Sequence, residues 1–126
     1  MAKSYATLKR KLDKTFSEYI RRSNPPICVS CGAAKESWRD LQCGHFVSRV
    51  RLATRWDEIN CHPQCSRCNV LLRGNAVGYS RFLEGKYGPQ IFKDLDELSR
   101  KPTKYSSYDL QDMIGHFETL LDKLDK

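Results

Sequence analysis

The first segment of the chain repeats apolar residues at steps of three and four, the pattern of a helix with one buried face. These residues are Tyr5, Leu8, Leu12, Phe16, Tyr19 and Ile20. The opposite face is basic and includes Lys9, Arg10 and Lys14. We predict a basic amphipathic helix from Ala2 to about Arg22, in a segment 1–24, because the prolines at 25 and 26 cannot continue it. Its basic face is either an ordinary solvated surface or a phosphate contact.

The second half of the chain shows further segments with the helical period. Asn75 can cap a helix that runs to about Tyr87, and a short helix follows at 91–98, so that 75–100 forms a helical extension. A last helix, in the segment 106–126, starts near Ser106 or Ser107. Its apolar positions are Leu110, Met113, Ile114, Phe117, Leu120, Leu121 and Leu124. This spacing fits a heptad seam as well as a 3.6-residue stripe, so the helix either packs back on its own domain or pairs in a dimer.

Between these helices the pattern is shorter and mixed. Trp38 to Gly44 alternates enough to predict a strand, and residues 45–47 start the return strand or a loop. Ser66 to Arg73 predicts a helix that ends at Gly74. A chain of 126 residues is expected to form one domain. We therefore predict a single, mostly helical α+β domain over 1–126, with N- and C-terminal helices around a small core at 25–74.

Two Cys-x-x-Cys pairs dominate the chemistry of that core. The pairs are Cys28 with Cys31 and Cys65 with Cys68, and thirty-three residues separate them. Each pair presents two thiolates to the same side, so together they predict one tetrahedral, structural Zn²⁺ per chain. Cys43 and Cys61 lack such a partner and are predicted to be small buried hydrophobes. A zinc set that includes one of them is the alternative.

Polar residues beside the second cysteine pair predict a further site. Asn60 lies five residues before Cys65, Asn69 follows Cys68 directly, and His45 lies between the two pairs. A purely structural zinc site does not require these three residues, so we predict a chemical site built on the zinc-bearing core. The alternative for His45 is a histidine that packs against the zinc turns.

The formal net charge of +7 is concentrated in one half of the chain. Residues 1–60 hold twelve Lys/Arg against six Asp/Glu, whereas residues 61–126 hold ten against nine. This asymmetry predicts a polyanionic partner, most commonly nucleic acid, because contacts of Lys and Arg with phosphate dominate such binding. A solvated surface is the alternative. Arg49, Arg51 and Arg55 could clamp phosphates bidentately from the loop that carries them.

The start of the chain lacks the apolar stretch of a secretory signal. We therefore expect reduced thiols and an intracellular protein, although six cysteines would also be compatible with disulfides. No apolar run approaches the roughly 20 residues that cross a bilayer, which predicts a soluble protein without a membrane partner.

One ordered set of residues carries more information than its separate motifs. The set is Cys28-Val29-Ser30-Cys31-Gly32, Gly44-His45-Phe46, Arg55-Trp56-Asp57-Glu58-Ile59-Asn60, His62, Gln64-Cys65-Ser66-Arg67-Cys68-Asn69, Leu72-Arg73-Gly74-Asn75, Tyr79 and Tyr87-Gly88. It resembles the HNH, or ββα-metal, endonucleases, and within them the lambdoid phage NinG (Rap) family of branched-DNA endonucleases. The second cysteine pair followed by Asn69 is also similar to endonuclease VII, a phage junction resolvase with a four-cysteine zinc site.

The resemblance implies a role for three polar residues. His45 matches the general base of the family, and the ordinary pKa of histidine suits that role. Asn69 matches a residue that ligates a catalytic Mg²⁺ or Mn²⁺ through its carbonyl oxygen. Asn60 matches the asparagine that braces the loop orienting the base.

One position departs from the family pattern. Many HNH enzymes carry Asp or His as a metal ligand directly before the base, where this chain has Gly44. Another ligand is then needed, for which His62, Asp40 and Asp57 are candidates, and His62 is favoured because it recurs in the family pattern. Alternatively, His45 ligates the ion and another group takes the proton.

The implied function is a metal-dependent, structure-specific endonuclease that cuts branched intermediates, such as Holliday junctions and D-loops, during phage recombination. The expected DNA contacts are Lys9, Arg10, Lys14, Arg49, Arg51, Arg55, Arg67 and Arg73. A two-fold homodimer would make two symmetric cuts most simply, and a recombinase partner and the bacterial host cytoplasm are implied as well. The alternatives are a general HNH nicking or packaging nuclease and a non-catalytic, zinc-containing DNA-binding module.

Overall fold

The computed structural model describes residues 3–126, and most of them lie in helices. The helices are α1 (Tyr5–Arg22), α2 (Leu52–Arg55), α3 (Ala76–Tyr87), α4 (Ile91–Ser99) and α5 (Ser107–Leu124). The strands are β1 (Gln42–His45) and β2 (Cys61–Gln64), and short 3-10 and π-helical turns lie at Trp38–Asp40 and Arg67–Leu71. The prediction of a mostly helical α+β protein is confirmed. Ala2, the expected start of the first helix, lies outside the described residues.

Side-chain caps set where α1, α3 and α5 begin. Ser4 and Asn75 each accept a hydrogen bond from a backbone amide in the first turn of α1 and α3. Ser106 and Asp109 form a capping box at the start of α5, in which each side chain accepts from the other residue's backbone N–H. Such caps satisfy amides that a helix start leaves without partners. The helices predicted from Asn75 and Ser106 therefore begin where expected.

The segment before β1 differs from the predicted strand. Trp38–Asp40 forms a 3-10 turn, because the hydroxyl oxygen of Ser37 accepts the backbone N–H of Arg39 and closes the turn. The strand begins only at Gln42. Further along, the predicted arginine loop contains the short helix α2.

The helix expected at Ser66–Arg73 is reduced to the π-helical turn Arg67–Leu71. It ends there because Arg73 and Gly74 adopt positive φ angles of 49° and 96°. The amide of Gly74 then donates to the carbonyl oxygen of Cys68 at 2.8 Å. The second cysteine pair lies at the start of this turn. The reversal at its other end directs the chain into α3.

Helices α1 and α5 pack against each other and form the largest part of the core. Leu110, Ile114 and Phe117 of α5 are buried in one cluster with the apolar face of α1. The rings of Phe16 and Phe117 meet edge to face, with centroids 4.9 Å apart. The last helix thus packs back on its own chain, which removes the heptad seam as support for a dimer. Even α1 and α5, the longest helices within residues 3–126, lack the apolar character of a membrane-spanning helix.

The hairpin of β1 and β2 has two chemically different faces. The strands are antiparallel, with Gly44 opposite His62 and His45 opposite Cys61. Side chains alternate between the faces of a strand. The face toward α1 carries Cys43, His45 and Cys61 and is called the cavity face; the face toward α3 carries Gly44, His62 and Gln64 and is called the zinc face.

Candidate functional site

The four cysteines of the two Cys-x-x-Cys pairs come together as predicted. Their sulfur atoms lie within 4.8 Å of one another, and the Sγ atoms of Cys31 and Cys65 are 3.8 Å apart. A tetrahedral ion with Zn–S bonds of about 2.3 Å would hold its sulfur ligands about 3.8 Å apart. Cys28, Cys65 and Cys68 are buried and Cys31 is exposed. The donor set therefore fits a closed structural zinc site near the surface.

His45 ends β1 on the cavity face and is half-buried. Its Nε2 lies 2.7 Å from the backbone carbonyl oxygen of Arg55. A carbonyl oxygen can only accept, so Nε2 carries the proton and Nδ1 is the acceptor of the neutral ring. Burial lowers the pKa of His45, with the Arg55 carbonyl opposing the shift and Arg49 adding to it. The ring is therefore neutral at pH 7, and its Nδ1 can take a proton.

An open cavity of about 490 Å³ lies beside His45, and its charged lining consists of four Lys or Arg side chains and one Asp. Helix α1 contributes Arg10, Lys14, Ser17 and Arg21, which follow one another at steps of four, three and four along one helix face. The opposite wall includes Arg49. Clustered cations in a concave surface attract an anion such as phosphate. Our sequence prediction did not assign Arg21 or Ser17, although their helical spacing from Arg10 is a signal that could have identified them.

Asp13 fixes the arginine side of the cavity. Its carboxylate accepts hydrogen bonds from Arg55 at 3.1 and 2.6 Å, from Arg49 at 2.8 Å and from the indole of Trp56 at 3.0 Å. Burial favours the protonated acid, but these donors outweigh it and hold the pKa of Asp13 below its usual value.

Arg55, one of the predicted DNA contacts, is engaged within the fold. The side chain of Arg55 is only 11% exposed, and its guanidinium is bound in a fork to Asp13. The guanidinium of Arg55 therefore joins the loop after β1 to α1. Arg49 makes one contact with Asp13 but stays 58% exposed, so it can still reach an anion in the cavity.

Asn60 is fully buried and holds the loop that follows β1. Its Oδ1 accepts the backbone N–H of Val47 at 2.8 Å, and its Nδ2 donates to the carbonyl oxygens of Val47 and Thr54 at 3.0 Å each. The next residue after Thr54 is Arg55, whose carbonyl oxygen accepts from His45. Asn60 thus holds the segment that orients His45, as a bracing residue must.

Asn69 reaches the rim of the cavity through a neighbour. Its Nδ2 donates to the side-chain carbonyl oxygen of Gln42 at 2.8 Å, and Gln42 lines the cavity near His45. The carbonyl oxygen of Asn69 is then the side-chain atom that could ligate a metal ion. Gln42 is missing from the predicted site, because it lies 27 residues from Asn69 in the sequence and only the fold brings the two side chains together.

The structure does not bring His62 together with His45. His62 is 2% exposed on the zinc face, where its Nδ1 lies 3.1 Å from the hydroxyl of Tyr79 and its Nε2 lies 3.2 Å from the hydroxyl of Tyr87. Both ring nitrogens are therefore occupied within the core. Burial lowers the pKa of His62 to about 4, with Lys86 adding to the shift. His62, which we predicted to ligate the catalytic ion, thus lies on the opposite face of the hairpin from His45.

Gly44 is required by a close approach on the zinc face. A Cβ at this position would lie 1.9 Å from Oε1 of Gln64, whose Nε2 donates to Ser30 and to the carbonyl oxygen of Gly74. A ligand side chain at residue 44 would displace Gln64 and point away from the cavity face. The other candidate ligands, Asp40 and Asp57, are also absent from the described residues that line the cavity.

The remaining basic residues fall on separate surfaces. Arg10 and Lys14 line the cavity with Arg49 and His45. Lys9 lies on α1 beside the ring of Tyr5. The side chain of Arg51 lines a different pocket with Phe46 and Phe92, and Arg67 and Arg73 are exposed around the π-helical turn. The structure therefore assembles Arg10, Lys14 and Arg49 at one site and leaves the others apart from it.

Comparisons with known proteins agree on one family of phage proteins. The family model described as "Bacteriophage Lambda NinG protein" matches residues 1–126. The chain is 27% identical to protein ninG of Escherichia phage 933W over 89 residues, which cover 69% of this chain and 43% of that protein. It is 24% identical to protein ninG of Salmonella phage P22 over 117 residues, which cover 91% of this chain and 56% of that protein. The chain thus spans about half the length of these curated relatives. No solved structure matches it.

Proposed function

We propose, for a chain that belongs to the family of the bacteriophage lambda NinG protein, the activity of a metal-dependent HNH-type endonuclease that cuts branched DNA. The observation that carries the proposal is His45 at the wall of the basic cavity. Its Nε2–H donates to a backbone carbonyl oxygen, its Nδ1 is the acceptor, and its pKa lies below that of an ordinary histidine. These are the properties of a general base that works at neutral pH.

In this proposal, different residues of the cavity have different roles in phosphodiester hydrolysis. Arg10, Lys14 and Arg49 bind the phosphates and place the scissile one near His45. Nδ1 of His45 takes a proton from a water molecule as the water oxygen attacks phosphorus and the bond to the leaving sugar oxygen breaks. Solvent returns a proton to that oxygen. Asn60 keeps the Arg55 carbonyl in place, so that Nδ1 stays directed at the attacking water.

The proposal assigns a Mg²⁺ or Mn²⁺ ion to the DNA-bound state. Such an ion, when bound, stabilises negative charge on the scissile phosphate and the leaving oxygen. Asn69 would hold it through its carbonyl oxygen, together with the phosphate and water. Asp13 is already engaged by Arg49, Arg55 and Trp56, and the candidate ligand clusters within residues 3–126 are built on cysteine. The phosphate must therefore supply much of the charge that attracts the ion.

The same shortage of oxygen ligands favours a second candidate function. A zinc-containing module that binds DNA without cutting it needs the basic cavity and the cysteine cluster but no hard cation. In that case His45 would be a cavity residue that contacts phosphate without acting as a base.

The specificity for branched DNA rests on the family alone. Two symmetric cuts across a junction would require two copies of the site, supplied by a dimer or by successive binding. Holliday junctions and D-loops are the proposed substrates, with a recombinase as a possible companion in the bacterial host cytoplasm.

The test incubates the protein, loaded with one equivalent of Zn²⁺ per chain, with an end-labelled four-way junction and a linear duplex of the same sequence, in Mg²⁺, in Mn²⁺ or in EDTA. Metal-dependent nicks confined to the junction are the expected result. Equal cutting of both substrates would replace the proposal by a general nicking or packaging nuclease. Binding without cutting in either metal would leave the non-catalytic module.

A further inference from the structure

A second group of metal-ligating side chains lies on the cavity face, apart from the four-cysteine cluster. The sulfur atoms of Cys43 and Cys61 and a ring nitrogen of His45 all lie within 4.8 Å of one another. Within residues 3–126, this group and the four-cysteine cluster are the sites where three or more Cys, His, Asp or Glu side chains converge in this way. The zinc cluster does not use these two cysteines.

The strand pairing is what brings the three side chains together. Cys43 and His45 are two residues apart on β1, so they share a face, and Cys61 lies directly opposite His45 on β2. Directly opposed residues on an antiparallel pair hold their Cβ atoms about 5 Å apart. Cys61 is fully buried beneath the other two residues, whereas Cys43 and His45 line the cavity. An ion held by the three would therefore face the cavity with its open coordination position.

We propose that Cys43, His45 and Cys61 form a second metal site, selective for a soft divalent ion such as Zn²⁺. Two thiolates and one imidazole are preferred ligands of zinc, and three protein ligands leave the fourth position open. We assign Nδ1 of His45 to the ion, because Nε2–H donates to the carbonyl oxygen of Arg55, to which the thiol of Cys61 also donates at 3.6 Å. A hydrogen bond from the second ring nitrogen to a carbonyl oxygen is the usual support of a metal-bound histidine.

The charges around the site select the type of ion. Arg10, Lys14, Arg21 and Arg49 line the same cavity, so a hard cation with neutral ligands would be repelled there. Two thiolates cancel the charge of a bound Zn²⁺. Cancellation also makes the ion a weak Lewis acid. The site is therefore suited to holding an ion tightly.

A metal ion at this site would block the catalytic base. The lone pair of Nδ1 can bind either the ion or the proton of the attacking water, but not both. Excess zinc should then stop DNA cleavage while leaving the structural zinc site intact, a consequence that rests on the proposed nuclease function. The free protein would cut only when the second site holds no metal ion.

Metal stoichiometry tests the site without reference to cleavage. The metal-free protein is titrated under reducing conditions with Co²⁺, and thiolate-to-cobalt absorption is followed together with direct metal analysis after Zn²⁺ loading. Wild-type protein should bind two ions per chain, whereas Cys43→Ser should bind one. Its thiolate absorption should fall by about one third, because two of six thiolates no longer bind metal. Binding of a single ion by the wild type, or of two by Cys43→Ser, would overturn the proposal.

Two further variants separate the site from general damage to the fold. His45→Gln should weaken the second ion by at least about tenfold, whereas His116→Gln, which changes an exposed histidine of α5, should retain two ions. Cys43 is only half-buried, so Cys43→Ser should melt within a few degrees of the wild type. Equal loss of the second ion in His45→Gln and His116→Gln would also count against the assignment.

Cleavage assays then test the blocking effect. Zinc beyond one equivalent should slow junction cutting by the wild type at least about tenfold and should slow Cys43→Ser by much less. If the wild type cuts but the second ion leaves its rate unchanged, the blocking effect is refuted and the nuclease proposal stands. If the wild type fails to cut even with one zinc ion per chain, yet still binds a second ion, the nuclease proposal fails and the metal site stands.

Discussion

His45 and His62 lie on paired strands of one hairpin, but the two faces of that hairpin give them different chemistry. On the cavity face, one ring nitrogen of His45 donates to the Arg55 carbonyl and the other remains available. On the zinc face, both nitrogens of His62 are hydrogen-bonded to tyrosine hydroxyls. Burial lowers the pKa of both rings, so burial alone does not distinguish them.

The difference lies in what the partner atoms can do. The hydroxyl of Tyr79 donates its proton to the carbonyl oxygen of Gly44 at 2.8 Å, so it accepts from Nδ1–H of His62. The hydroxyl of Tyr87 can donate to Nε2. Both nitrogens of the neutral imidazole are then satisfied. A carbonyl oxygen only accepts, so it fixes the proton on one nitrogen and leaves the other as a base. The cavity face is thus arranged for proton transfer, whereas the zinc face is arranged for packing.

Removing the structural metal should lower stability more than any other change, because the zinc face would then unfold. Binding of a structural zinc ion contributes about 10–16 kcal/mol in small zinc domains, as much as the whole stability of a typical domain. We expect Cys28→Ser, or treatment with a strong chelator, to unfold the hairpin region, as measured by circular dichroism and by zinc release. Cys43→Ser is the matched control and should keep its fold. An unchanged melting curve for Cys28→Ser would refute the structural role.

Changing the cavity face should have the next largest effect, on cleavage and not on stability. His45→Ala should lower junction cutting by about 10²–10⁴-fold, the usual contribution of a general base. Junction affinity and melting temperature should stay near those of the wild type, because the ring is only half-buried. His116→Ala serves as the control. Cutting by His45→Ala at the wild-type rate would assign the base to another group.

The pH dependence of the free energy of unfolding should report the burial of His62 on the zinc face. The pKa of His62 is about 4 when folded and 6.5 as an ordinary histidine, so only the unfolded chain gains the proton between these values. The free energy of unfolding should therefore fall as pH falls, by about 2 kcal/mol between pH 6.5 and about pH 5. Denaturant unfolding of the wild type and of His62→Gln over this pH range gives the free energy of unfolding of each protein. Zinc release affects both proteins alike, so it cancels when the two free energies are subtracted. Parallel curves for the two proteins would contradict the assignment.

The smallest effect is expected from introducing, at residue 44, the metal ligand that many HNH enzymes carry directly before their base. Gly44→Asp places a side chain against Gln64 on the zinc face, where a Cβ would lie 1.9 Å from Oε1. We expect a loss of about 1–3 kcal/mol in unfolding free energy and no gain in cutting. Gly85→Asp, in α3, makes the same change where a Cβ meets no atom within 4 Å. Faster cutting by Gly44→Asp would show that residue 44 can face the cavity.

The sequence predicts best what spacing alone determines. The two cysteine pairs, the starts of α3 and α5 and the apolar face of α1 all follow from short-range patterns, and the structure has them in place. Strand boundaries and the length of the turn after the second cysteine pair are predicted less well. The Ser37 cap sets the backbone conformation before β1, and the positive φ angles of Arg73 and Gly74 set it after the second cysteine pair. Neither feature produces a periodic pattern in the sequence.

The candidate site is only partly predictable, because long-range contacts decide which polar residues meet. Nothing local indicates that Asp13 binds Arg55 from 42 residues away. The separation of His45 from His62 depends on a pairing register in which a shift of one residue would exchange the two faces. The cluster of Cys43, His45 and Cys61 depends on the same register.

The pairing of α1 with α5 also sets an order of events during folding. One wall of the cavity is formed by α1, near the start of the sequence. Helix α1 packs against α5, which lies near the other end of the sequence. Contacts between such distant segments carry a high loop-closure entropy and form late, whereas the cysteine turns and the hairpin they hold are local. We expect the metal-bound hairpin to exist before the basic wall closes over His45. A folding chain would then carry His45 in place well before it could bind a phosphate, and the proposed nuclease activity would appear only at the last step of folding.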